Sequence, residues 1–307
     1  MPTTRVYRST DAGAPVLERL DVDDEATSLM ALLHACLVTG YGAFPAAGWT
    51  RPYKNATTAV FQQGGGSGEY LHMLDDTSVT PSPRFIGYET MSAIDTGTNP
   101  YPAAGAYTSV TYQAGAGGIA MPWTIVADDR TFYFYHRDAT TSNYTVLAYG
   151  DGYSYQSSGL YRTFLSSQGY YIRSDSLIGS GANFWYTPRN ELGVYNAIDR
   201  PLSLAGDATK GIASRLVGSI PYPHGPDQKI WLAPLELVDH NTPAVRMRLR
   251  GFWHWLHNTA SVADEDVFSG VGDLVGKNFL LIRDVQSGGS TFTNVVIHET
   301  SSTWDTN

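Results

Sequence analysis

The chain has 307 residues, of which 42% are hydrophobic and 16% charged, and its formal net charge is -9. A charged fraction below the usual ~25%, with ample apolar content, excludes a disordered chain and predicts a buried core. The 20 basic residues are scattered rather than clustered, which excludes a phosphate track, and no direct nucleic-acid binding is expected.

The opening "MPTTRVYRSTDAGAP" has little apolar periodicity. Residues 1–20 read as an N-terminal arm, with Val6 and Tyr7 as its anchors on a neighbouring subunit. The opening also lacks the basic and apolar blocks of a signal peptide, so assembly in a cytoplasm is expected. A helix is predicted from about 25 to 38, because Ala26, Leu29, Met30, Leu33 and Leu37 fall on one stripe. Asp23 or Asp24 would cap its start and Gly40 would end it. This amphipathic helix is expected to pack on a sheet. The single cysteine, Cys36, lies within it, so no intrachain disulfide is possible. The apolar run at 29–38 is far below the ~20 residues of a membrane span, and no membrane partner is expected.

Strands dominate the rest of the chain. "TAVFQQ" and "YLHMLDD" flank "GGGSG" at 64–68, which reads as a hairpin with a flexible tip. "RFIGYETM" is the next strand. "TGYGAFPAAG" from Thr39 and "TGTNPYPAAG" from Thr96 read as two similar turns. In "PWTIVA", Trp123, Ile125 and Ala127 share one face, while Thr124 and Val126 share the other. Asp128 and Asp129 make the turn, and "TFYFYH" then alternates Phe132 and Phe134 with Tyr133 and Tyr135. The phenylalanines are expected inward, and the tyrosines outward against another layer or another molecule. Further strands are predicted at "YTVLAYG", "GYYIRS", "KIWLAPLELV", "AVRMRLRGFW", "NFLLIRDV" and "FTNVVIHET". The fold class is therefore mainly β with few helices (α+β): antiparallel sheets, β-sandwich-like, with one N-terminal helix packed on a sheet. Residues 21–307 read as one large β-rich domain, with subdivision points near 112–122 and 198–211.

Motifs for chemistry are sparse. "GGGSGEY" lacks the Lys-Ser/Thr of a phosphate loop, and "GVGDLVG" lacks dinucleotide spacing. His254 and His257 would share a face on a helix, but metal binding would need a further ligand, and aromatic packing in "GFWHWLHN" is the simpler reading. His34 reads as a hydrogen-bonded residue beside the helix's apolar face. The acidic groups at Asp75-Asp76, Asp128-Asp129 and Asp264-Glu265-Asp266 lack calcium-loop spacing. A glycosidase carboxylate pair meets in space and leaves no mark along the chain. No cofactor, metal or catalytic residue is expected. The candidate partner-contact residues are Val6, Tyr7, Tyr133, Tyr135, Tyr153 and Tyr155.

Phrases in a fixed order resemble a family of virion structural proteins from tailed bacteriophages and prophages. They include "VYRSTDAGAPVL", "SLMALLHACLVTGYGAFPAAGW", "GYETMSAIDTGTNPYP", "PWTIVADDRTFYFY", "YGDGYSY", "YPHGPDQKIWLAPLELV" and "RLRGFWHWLHN". The stretch at 170–220 departs from that text. The resemblance implies a non-enzymatic virion subunit of the tail, baseplate or head–tail region, a symmetric oligomer in contact with its own copies and neighbouring phage proteins. The alternatives are a capsid-decorating or collar protein, a tail module binding host-surface glycan, or a glycan-degrading tail enzyme.

Overall fold

The structure, a computed structural model, describes residues 3–18, 26–74, 83–102, 105, 107–110, 120–137, 144–155, 162–168, 185–187, 196–198, 200–201, 230, 232–239, 244–255, 257, 262–283, 295–301 and 304. The N-terminal part gives strands β1 (Arg5–Arg8), β2 (Thr50–Lys54), β3 (Thr58–Gln62), β4 (Tyr70–Leu74), β5 (Arg84–Ala93), β6 (Thr96–Tyr101) and β7 (Thr108–Ser109). The middle gives β8 (Trp123–Ala127), β9 (Thr131–Arg137), β10 (Tyr144–Asp151), β11 (Tyr153–Ser154), β12 (Thr163–Gln168), β13 (Trp185–Thr187), β14 (Asn196–Ile198) and β15 (Arg200–Pro201). The C-terminal part gives β16 (Leu232–Asp239), β17 (Ala244–Trp255), β18 (Val267–Ser269), β19 (Asn278–Arg283) and β20 (Val295–Glu299).

These strands form three antiparallel sheets, so the fold is mainly β with little helix, as the sequence predicts. The first sheet has the order β2-β3-β4-β5-β6, with β7 on β5. The central sheet runs β1-β8-β9-β10-β12-β13-β14. The last runs β15-β16-β17-β20-β19-β18, with β11 on β17.

The central sheet is covered on both faces. Ile125, Phe132, Phe134, Leu147, Tyr149 and Leu165 join one apolar cluster with Phe61, Leu71 and Phe85 of the first sheet and with the helix. The alternate residues Val126, Tyr133, Tyr135, Val146, Ala148 and Phe164 join a second cluster with Met247, Phe252, Leu280 and Val296 of the last sheet. A strand period of two sends neighbours to opposite faces, so the Phe/Tyr alternation divides cleanly between the two clusters. The last sheet buries its other face too, around Trp255, Phe279, Leu281 and Ile297.

The helix α1 spans Leu29–His34 and continues as a π-helical turn, Ala35–Thr39. Ser28 caps it by accepting the Ala31 N–H at 3.2 Å. The predicted start is thus corrected from about 25 to 29, with Ala26 exposed. Asp23 and Asp24 lie outside the described residues. Gly40 ends the π turn at φ 79, as expected. Leu29, Met30, Leu32, Leu33, Cys36 and Leu37 are buried in the first cluster.

Two local expectations are overturned. "TGTNPYPAAG" is not a turn like its counterpart, because Thr96–Tyr101 pairs along β5. Asp95 takes positive φ (58°) in the tight β5–β6 turn and supplies the reversal, while Asn99 takes positive φ (54°) within β6. The "GGGSG" tip is docked, not free: the N–H groups of Gly64 and Gly65 both donate to Asp129 O at 3.1 Å. A Cβ on Gly64 would lie 1.8 Å from Gly48 O, so only glycine permits that approach. The predicted strand "GYYIRS", and most of the stretches at 112–122 and 198–211, lie outside the described residues.

Candidate functional site

The sequence-predicted contact residues are mostly interior. β1 pairs with β8, Arg5 opposite Ala127 and Arg8 opposite Thr124. The first strand is therefore part of this chain's own central sheet, which corrects the reading of residues 1–20 as an arm on a neighbour. Tyr7 is fully buried and donates its hydroxyl to Pro45 O at 2.8 Å, and Val6 packs on the second cluster. Tyr133 is also fully buried, with its hydroxyl on Arg250 O at 2.8 Å. Tyr135 is buried with its hydroxyl on His298 Nε2. The tyrosine face that alternation turns away from the phenylalanines thus meets another layer of the same chain. The hydroxyls end inside because each finds a partner there. Burial raises both phenol pKa values well above the usual tyrosine range. Tyr153 is half-buried under Arg248, whose guanidinium sits 4.7 Å from the ring centre. Of the six, Tyr155 alone keeps a mostly exposed side chain, at 55%.

The acidic turn forms as the sequence predicts, and it has a second role that sequence reading missed. Asp128 is fully buried, and its Oδ1 accepts the N–H groups of Arg130 (2.9 Å) and Thr131 (2.8 Å), which closes the β8–β9 turn. Its Oδ2 takes the Arg250 guanidinium at 2.5 Å, from β17 of the last sheet. A buried ion pair thereby ties two layers at one point. Burial pushes the Asp128 carboxyl pKa up, while Arg250 and the two N–H groups pull it down.

A second polar network joins the first sheet to the central one. Asp151, at the end of β10, accepts Ser67 Oγ at 2.7 Å, Ser67 N–H at 2.9 Å, Gln63 Nε2 at 3.2 Å and Thr163 Oγ1 at 3.1 Å. Arg162 Nε lies 3.4 Å from Asp151 Oδ2, the oxygen that also accepts the Ser67 N–H. Beside it, Glu69 accepts the Tyr101 hydroxyl at 2.7 Å, and Tyr101 lies 3.1 Å from the Tyr149 hydroxyl. Burial pushes the Glu69 carboxyl pKa up to about 7. A strongly raised carboxyl beside a second acid is the pattern that general-acid chemistry uses. The same cluster links side chains of the first sheet to the central one and so braces the two sheets together. No motif could reveal it, since Gln63, Glu69, Tyr101, Asp151 and Thr163 come from separate strands and loops.

"HWLH" is strand to Trp255, so the shared helical face does not arise. His257 is buried against the Trp255 ring at 4.9 Å. The His254 side chain and Asp75-Asp76 lie outside the described residues, and His34 is half-buried. Among the described residues no group of three or more His, Cys, Asp or Glu could hold a metal ion.

Two surface features remain. A pocket of about 250 Å³ opens where β1, β8 and β9 meet the 264–265 turn, lined by Arg8, Ser9, Thr124, Arg137, Asp264 and Glu265 among others. Glu265 holds φ 64°, bridges to Arg8 at 3.3 Å and accepts Thr124 Oγ1 at 2.5 Å. Two cations and two acids cancel, so the lining offers donors and acceptors without net charge. Its aromatic wall, Trp123, is 2% exposed with its N–H on Pro15 O, and presents no open ring for stacking.

The second feature is a sheet edge. Edge strands invite foreign pairing unless Lys, Arg or Pro blunt them. Strand β1 carries Arg5 and Arg8, and β2 carries Arg51, Pro52 and Lys54. Among the described strands, β18 ends its sheet, and it is Val-Phe-Ser with no such residue. Val267 is 63% exposed there, with Val271 and Val275 exposed just beyond. No family model matches the chain, and no curated protein matches it at a significant level.

Proposed function

We propose that this chain is a structural subunit of a tailed-bacteriophage virion, in the tail, baseplate or head–tail region, and that it works as a symmetric oligomer without catalysis. The observation that carries the reading is the uncharged, valine-bearing edge at β18, on a chain whose edges at β1 and β2 are blunted. The order of phrases resembling virion proteins supports the same role. So does the use of its buried acids: Asp128 and Asp151 bind groups of neighbouring layers and stiffen a platform. A glycan-binding tail module is the second reading, favoured by the exposed rings of Tyr107 and Tyr155.

Mass spectrometry of purified particles tests the proposal. A fixed stoichiometric copy number, with the chain located in a map of the intact particle, is expected. Absence from particles would overturn it, and glycan binding lost on Tyr155→Ser with Tyr107→Ser would favour the second reading.

A further inference from the structure

We propose that the free edge of β18 pairs antiparallel with the same edge of a second copy of this chain, about a two-fold axis at Phe268. The inference rests on the subunit reading and names the surface it would use. On its inner side β18 is bonded to β19: Leu281 N–H donates to Asp266 O at 2.9 Å, and Gly270 N–H donates to Lys277 O at 2.7 Å. In an antiparallel pair the main-chain groups of alternate residues point to opposite sides. With Asp266, Phe268 and Gly270 turned toward β19, the N–H and C=O of Val267 and Ser269 point off the sheet. Phe268 packs back against the Trp255 cluster, and its ring lies 5.1 Å from that of Trp255, so the strand is held rigid from behind.

This edge is self-complementary. With Phe268 on the axis, Val267 of each copy faces Ser269 of the other, and both facing pairs exchange N–H···O=C bonds in both directions. Every outward donor meets an outward acceptor. The charges also fit a second copy. Two chains of net charge -9 repel, so a workable register must keep acids apart. In this register residues 264–266 of one copy run beside the uncharged residues 270–272 of the other, not beside each other. Those acids are also engaged within their own chain. Asp264 accepts Arg283 N–H at 2.8 Å, Glu265 bridges to Arg8, and Asp266 accepts Ala263 N–H at 2.6 Å. The exposed Val267 side chain is covered in the pair.

Sedimentation velocity on the full chain reads the association. The wild type is expected to dimerise, and Val267→Lys is expected to weaken the dimer at least about tenfold while keeping the wild-type circular dichroism spectrum. Tyr155→Lys, also at an exposed position, should leave the dimer intact. A double variant, Val267→Cys with Ser269→Cys, should oxidise to a covalent dimer, with the native Cys36 buried out of reach. A wild type that stays monomeric, a dimer indifferent to Val267→Lys, or failure of the cysteine pair to cross-link would each overturn the inference. If the chain is found in particles but is monomeric in solution, this edge falls and the subunit reading stands. If a dimer sensitive to Val267→Lys is absent from particles, the edge stands and the subunit reading falls.

Discussion

Removing the Arg250 guanidinium by Arg250→Met should strand Asp128 in the interior between the central and last sheets. Asp128 is fully buried and Arg250 is 3% exposed, so neither charge can turn to water. Breaking such a pair from one side costs about 3–5 kcal/mol, because the remaining charge is left uncompensated. The reverse change, Asp128→Asn, should cost less, about 2–3 kcal/mol. Asparagine Oδ1 still accepts the Arg130 and Thr131 N–H groups, and Arg250 still faces the rings of Tyr153 at 5.6 Å and Trp304 at 6.0 Å. The Tyr133 hydroxyl bonds the Arg250 carbonyl, so that contact survives both changes. The double variant should therefore be much less unstable than the sum of the singles, with a coupling of about 2 kcal/mol or more. Urea unfolding followed by tryptophan fluorescence measures all four states. Additivity within about 0.5 kcal/mol would refute the idea that this pair ties the layers as a unit.

Three further predictions concern burial and pH. Glu69 has a folded pKa near 7 against an ordinary 4.5, so the folded state holds its proton longer than the unfolded chain. Its contribution is fully present below pH 4.5 and is lost as pH rises through 7. By linkage that amounts to about 3 kcal/mol, and Glu69→Gln should remove this slope in melts run from pH 5 to 8. His298 shows the opposite sign. Burial lowers its pKa to about 3, so its stabilisation holds above pH 6.5 and drains as pH falls toward 3. His298→Phe with Tyr135→Phe, which removes both members of the hydrogen bond, should lose about 3 kcal/mol less than wild type between pH 6.5 and 4 by urea midpoint. Gly64→Ala should destabilise by about 1–3 kcal/mol in a thermal melt, since its Cβ would enter the Gly48 carbonyl. Gly68→Ala meets nothing within 4 Å, and at φ 73° it should show only the smaller backbone cost.

Much of the fold was legible because local patterning and burial agree. Strand period, turn glycines and aromatic content placed β3, β4, β5, β8, β9, β10, β16, β17, β19 and β20 near their observed positions. Strand β12 was missed because Ser166 and Ser167 break its apolar pattern. Both are buried, and Ser167 bonds the Ser109 carbonyl at 2.6 Å. The β1 strand was missed because Arg5 and Arg8 frame only two apolar residues. Its place depends on β8, more than a hundred positions away.

Read alone, the sequence determined that residues 123–135 form a hairpin whose two faces differ, one of Phe and one of Tyr, since alternation is a property of neighbouring residues. It could not decide what lies on the tyrosine face. A phenol is as well placed against water or a partner as against Arg250 O or His298, which stand 117 and 163 residues further along the chain. Burial of that face, the pairing of Asp128 with Arg250 and the exposure of Val267 on β18 arise only when three sheets stack. Each depends on which distant groups meet, and spacing along one chain does not carry that information.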